Sequence, residues 1–128
     1  MKKAFLFIVA AVLFTACHKQ TFDERLIAET EHFNTKEAPK RLDYYTSFDS
    51  MSYNRDTQVL TYFYTMSNEI DEQILPADEF KQKLLENLRN SLTLKPHKDH
   101  NINFHYVYYS EATKKPLIDC TFVPEDYK

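Results

Sequence analysis

Val59-Leu60-Thr61-Tyr62-Phe63-Tyr64-Thr65-Met66 is the clearest strand in the chain. Successive side chains of a strand point to opposite faces, so Leu60, Tyr62, Tyr64 and Met66 share one face. Val59, Thr61, Phe63 and Thr65 share the other. Upstream, Tyr44, Tyr45, Thr46, Phe48, Met51 and Tyr53 are strand formers whose apolar spacing slips between Phe48 and Met51. One extra residue near Asp49-Ser50, a bulge, accounts for the slip. Asn54-Arg55-Asp56-Thr57 is a turn, and the two runs make a hairpin.

Downstream the alternation returns over Ile102–Tyr109, with Ile102, Phe104, Tyr106 and Tyr108 set against Asn103, His105, Val107 and Tyr109. After a turn at Ser110–Lys115, the last strand runs over Leu117–Val123 and places Ile118, Cys120 and Phe122 on one face. Ser67 to Leu75 is an acidic connection. It leads into a helix over 77–91, with Pro76 at its start and Asp78 and Glu79 in its first turn. Phe80, Leu84, Leu85 and Leu88 form the apolar stripe of this helix. Nearer the N-terminus, Thr21-Phe22-Asp23-Glu24 reads as a capping box opening a helix over 22–34. Thr35–Arg41 and Lys95–Asn101 read as loops. The fold expected is α+β: a four-stranded antiparallel sheet in the order strand-strand-helix-strand-strand, with an additional N-terminal helix.

Composition narrows the chemistry. The chain has 128 residues, no glycine, nine Tyr and ten Phe. Without glycine there is no glycine-rich phosphate loop, and turns must use Asn, Asp, Ser and Pro. The aromatic residues supply large buried areas to the core.

Met1-Lys2-Lys3 is a short basic start, and Ala4–Ala16 carries no charge before Phe14-Thr15-Ala16-Cys17. This is the layout of a secretory signal peptide over 1–16. The apolar run falls short of the ~20 residues needed to span a bilayer, and Phe14 is too bulky for a small-x-small cleavage site. The mature chain would then comprise residues 17–41 (Cys17, a short tether, the N-terminal helix and a loop) and an α+β domain over 42–128. Loss of Lys2 and Lys3 moves the formal charge from -3 to -5. An acidic chain argues against nucleic acid and against charge-driven binding to an anionic bilayer.

Candidate chemistry is sparse. His97 and His100, with Asp99 between them, could offer ligands to a metal, but no third ligand is fixed by spacing and solvated histidines fit better. His105 and Cys120 would need to face each other to act as base and nucleophile, yet alternation sets them on opposite faces. Cys120 reads as a buried, inert thiol. Asp71-Glu72 and Asp78-Glu79 read as surface and helix-start acids. No catalytic residue, cofactor or metal site is therefore expected, and no enzyme. Tyr62, Tyr64, Tyr106 and Tyr108 could form an aromatic platform for sugar rings. Their faces also carry Leu60, Met66, Ile102 and Phe104, which favours packing under the helix with hydroxyls at the rim. The opposite face carries Val59, Phe63, His105, Val107 and Tyr109, with Leu117 and Val123, and is unusually apolar for a solvated sheet. It is either a partner face or the surface that the N-terminal helix covers.

The residues Phe14-Thr15-Ala16-Cys17 resemble the lipobox of bacterial lipoproteins. Together with Thr46-Ser47-Phe48-Asp49-Ser50-Met51, Val59–Tyr64, the Phe80/Leu84/Leu88 helix and Phe104–Tyr108, the chain resembles small lipoproteins of unknown function from Gram-negative gut bacteria of the Bacteroides type. The resemblance implies acylation of Cys17 with diacylglyceryl and palmitate-type chains, and membrane attachment through that lipid. His18-Lys19-Gln20 follows the cysteine in place of acids, which favours the outer membrane facing the periplasm. The expected function is an envelope lipoprotein acting as a non-enzymatic binding or assembly module through one sheet face, with an envelope protein as partner. The alternative is a carrier of a small apolar or sugar ligand.

Overall fold

The computed structural model describes residues 20–67 and 76–128. The lipobox, Cys17 and the acidic pair Asp71-Glu72 lie outside the described residues. Helix α1 (Phe22–His32) begins at the expected capping box: the Thr21 hydroxyl accepts from the Glu24 N–H at 3.2 Å, and the Thr21 N–H donates to Glu24 Oε2 at 3.2 Å. It ends in a π turn over Phe33–Glu37, so the regular helix is slightly shorter than its apolar spacing predicts. Then follow β1 (Lys40–Arg41), β2 (Thr46–Asn54) and β3 (Val59–Met66). Helix α2 (Ala77–Asn90) and the short α3 (Lys95–Asp99) lead to β4 (Asn103–Ser110), β5 (Pro116–Phe122) and a terminal turn α4 (Pro124–Tyr127).

The α+β class holds, but the sheet is five-stranded and mixed rather than four-stranded and antiparallel. Its order is β1-β2-β3-β4-β5, and β3 pairs with β4 in parallel. The helix is the reason. At ~1.5 Å per residue, the 14 residues of α2 span about 21 Å, close to the length of an eight-residue strand at ~3.3 Å per residue. The chain is thus carried back to the end where β3 began, a crossover rather than a hairpin link. The fifth strand, β1, falls in the stretch read as a loop. Lys95–Asp99, also read as a loop, is a helix.

The expected bulge lies between Phe48 and Ser50. With that slip, Phe48, Met51 and Tyr53 of β2 join the face of β3 that carries Leu60, Tyr62, Tyr64 and Met66, and all pack in one core with Phe104, Ile118 and Phe122. Leu26 of α1, Leu88 of α2 and Tyr127 of α4 close it from above. Leu88 is 2% exposed, whereas Phe80, Leu84 and Leu85 are only partly buried. Leu84 is therefore less enclosed than the stripe implies, because α2 leans toward β5 at the side of the sheet. The four tyrosines pack as expected, with Tyr62 stacked on Tyr106 at 5.2 Å and Tyr64 on Tyr108 at 4.3 Å.

With no glycine available, Gln58, Asn101 and Lys114 occupy the left-handed region at the turns, with φ of 55°, 57° and 62°. The Asn54 side chain helps to hold the β2–β3 turn, accepting from the Asp56 and Thr57 N–H groups at 3.0 and 3.2 Å.

Candidate docking face

All four helices among the described residues pack on one side of the sheet. The N-terminal helix does not cover the other face: Leu26 lies in the core, and the Tyr53 hydroxyl donates to Asp23 Oδ1 at 2.6 Å on the helix side of β2. The face opposite is left without a described helix. Its centre is built by the parallel register, which sets Thr61 beside His105, Phe63 beside Val107 and Thr65 beside Tyr109. Val59, Phe63, His105, Val107 and Tyr109 are thereby brought to one surface. Val107 is buried there, and the other four are half-buried.

Two polar groups flank this apolar centre. Toward β2, Asp49 occupies the bulge and accepts from the Ser47 hydroxyl at 2.9 Å and from the Thr65 hydroxyl. Across the other strands, Thr61 Oγ1 lies 3.1 Å from His105 Nδ1, and His105 Nε2 lies 2.7 Å from Asp119 Oδ1. In the tautomer whose Nε2–H donates to Asp119, Nδ1 accepts the Thr61 proton. Apolar centre and bonded polar margin together have the composition of a docking surface.

The hydroxyl, imidazole and carboxylate follow the order of a nucleophile, base and orienting acid. Acyl transfer would also need donors aimed at a developing oxyanion. On the central strands β3 and β4 the backbone N–H groups beside Thr61 serve the ladder, and Thr61 itself is buried. The arrangement suits a cross-strand brace. Sequence reading placed His105 on this face without its partners. The signal was present only as register: Thr61 meets His105 once β3 and β4 are known to be parallel.

The remaining candidates lie on the helix side. Cys120 packs against the core beside Tyr106, away from His105, but is half-buried rather than enclosed. Burial raises its thiol above the ordinary value of 9.0. His100 stacks on Phe22 at 3.9 Å, while His97 meets Phe22 edge-on and lies 3.9 Å from Glu29. Burial lowers the His97 pKa below 6.5, partly opposed by Glu29. Among the described residues no group of three metal-ligating side chains is assembled. Tyr62, Tyr64, Tyr106 and Tyr108 are buried, so they do not present an open platform. Desolvation raises all four phenols above 10.0, that of Tyr64 to about 12. Among the described residues, no helix is long and apolar enough to cross a membrane.

The family described as "Domain of unknown function (DUF8479)" matches residues 21–118, and the chain belongs to it. Among curated proteins, none matches the chain in sequence. Two solved structures share the fold. A candidate secreted protein from Pseudomonas aeruginosa is 10% identical, with a TM-score of 0.68 over 81% of this chain and 90% of that one. The pilotin EpsS of the Vibrio vulnificus type 2 secretion system is 8% identical, with a TM-score of 0.63 over 79% and 86%. At these identities the likeness is one of fold.

Proposed function

We propose that this protein is a lipid-anchored, non-enzymatic binding or assembly module of the bacterial envelope. Cys17 carries the lipid, and the face built from Val59, Phe63, His105, Val107 and Tyr109 docks another envelope component. One observation carries the reading. The sheet has an apolar, polar-margined face that none of the four described helices covers, all four being spent on the other side. The similar fold of a type 2 secretion pilotin supports an assembly role. The lipobox-like Phe14–Cys17 supports anchoring, with the outer membrane facing the periplasm as the expected site.

Capture from solubilised native membranes tests the docking. Wild type and Lys83→Glu, a change on the wet side of α2, retain the same partner, whereas Phe63→Glu and Tyr109→Glu lose it. Equal retention by all four contradicts the reading. Fatty-acid labelling tests the anchor: wild type takes up label and Cys17→Ser does not, and equal label in both overturns it.

A second reading, a small-ligand carrier, is favoured by a cleft of about 340 Å³ between α2 and the 42–46 segment. Leu42, Tyr45, Met66, Phe80, Leu84 and Tyr108 line it, and its volume lies at the lower end of the range for small-molecule sites. Of the four tyrosines first considered for a platform, only Tyr108 reaches this cleft.

A further inference from the structure

The two edges of the sheet are treated differently. At the β2 edge, Lys40 and Arg41 of β1 pair with Phe48 and Ser47, and the Leu42 N–H donates to the Thr46 carbonyl at 3.0 Å. The bulge at Asp49 then breaks the line of the strand. Just beyond it, the Asn34 side chain acts as a one-residue strand: its Nδ2 donates to the Met51 carbonyl and its Oδ1 accepts from the Met51 N–H, both at 2.8 Å. From Thr46 to Met51 this edge is occupied, and two exposed cations flank it. Such devices keep an edge from pairing with another chain.

At the β5 edge such devices are confined to the start of the strand, where Pro116 opens it and the register against β4 slips at Leu117. Beyond that slip, among the described residues no strand or side-chain bond occupies the outward backbone groups of Ile118–Phe122. No lysine or arginine lies on it. Its one charge, Asp119, is held by His105 at 2.7 Å, and Leu117, Ile118 and Phe122 are apolar and strand-forming. The edge left open from Ile118 to Phe122 is a template for an added strand.

The geometry points to β5 as a strand-addition site that takes an extended segment of a partner protein bearing a basic side chain opposite Asp119. This deepens the docking reading and rests on it, since an added strand would continue the same open face past Asp119 and Thr121. Charge selects the occupant. The Asp119 side chain is 57% exposed and can meet a lysine or arginine across the new pair. A second copy of this chain fits poorly. Antiparallel pairing of two β5 strands about their midpoint sets Asp119 against Asp119, and like charges directly opposite are unfavourable.

The test uses the isotope-labelled protein and three short synthetic peptides, each alternating Val and Thr. One has a central Lys, one a central Glu, and one is the Lys peptide N-methylated at alternate amides. The Lys peptide should slow amide exchange across Ile118–Phe122. The Glu peptide should bind several-fold more weakly, and N-methylation should weaken binding by about tenfold or more, because it removes the strand bonds alone. Equal binding of the methylated peptide, or no binding by any of the three, overturns strand addition. Shifts confined to Phe63 and Val107 also overturn it while leaving face docking intact. Protection of β5 on concentrating the protein alone would assign the edge to a second copy and equally overturn the proposal. Failure of the docking reading is seen separately, as capture that is indifferent to Phe63→Glu.

Discussion

The same two strands, β3 and β4, present two different surfaces at alternate residues. On the helix side Leu60, Tyr62 and Tyr64 meet Phe104, Tyr106 and Tyr108, and the rings stack under α1 and α2. One residue along, Thr61, Phe63 and Thr65 meet His105, Val107 and Tyr109, with no described helix above them. The closed face is apolar with phenols enclosed. The open one mixes apolar side chains with polar groups that bond one another. Burial of the first holds the fold together. The second is organised by the same backbone but is free to do something else.

Four perturbations sharpen or break this contrast. The largest effect should come from alkali. Burial raises the phenols of Tyr62, Tyr64, Tyr106 and Tyr108, so the unfolded chain loses these protons first as pH rises above 10.0. Their contribution is intact below pH 10 and withdrawn above it. Tyr64 alone, at about 12, accounts for on the order of 2–3 kcal/mol by pH 12. Circular dichroism against pH should show cooperative unfolding between 10 and 12, and Tyr106→Phe should make the loss shallower. A folded, unchanged spectrum at pH 12 would mean that the closed face is not closed.

Cavity formation comes next. Leu88→Ala removes an enclosed side chain and should cost roughly 2–5 kcal/mol, whereas Phe63→Ala on the half-buried open face should cost about 1–2 kcal/mol despite deleting more atoms. Lys83→Ala should stay within about 0.5 kcal/mol. Denaturant melts of the three variants rank them, and a larger loss for Phe63→Ala than for Leu88→Ala would reverse the assignment of the faces.

Acid gives a smaller effect from the helix side. Burial against Phe22 and α1 disfavours charge on His97, so its folded pKa lies below 6.5. The unfolded chain therefore takes up the proton first, and stability is full above pH 6.5 and declines as pH falls below it. The unfolding midpoint should drop between pH 7.5 and 5, less steeply in His97→Leu. Identical slopes would sink this account of the α1–α3 seam.

The smallest effect belongs to the open-face brace. Asp119→Ala frees His105 Nε2, which water can still reach, so the loss should be about 0.5–1.5 kcal/mol in a thermal melt. A loss matching that of Leu88→Ala would make the brace part of the core.

Much of this contrast is legible in the residues. Alternation alone separates Leu60/Tyr62/Tyr64 from Thr61/Phe63/Thr65, the slip at Asp49-Ser50 marks the bulge, and Thr21–Glu24 marks the start of α1. Strand direction is not legible, because period-two alternation reads the same whether neighbours run parallel or antiparallel. The brace was missed for the same reason, since it depends on the register of three strands. β1 left no pattern because its two residues are charged, exposed and tied only through backbone. α3 and α4 are single turns, too short for a helical period to show. The pairing of Asn34 with Met51 joins residues 17 positions apart and has no local signature.

The central claim, that the uncovered face is where this protein meets its partner, is tested most directly by photo-crosslinking in intact cells. A photoreactive residue placed at Phe63 or Tyr109 should give one discrete adduct, and the same residue at Lys83 or Gln82 on α2 should give none. Adducts of equal yield from both sides, or from α2 alone, would contradict the account.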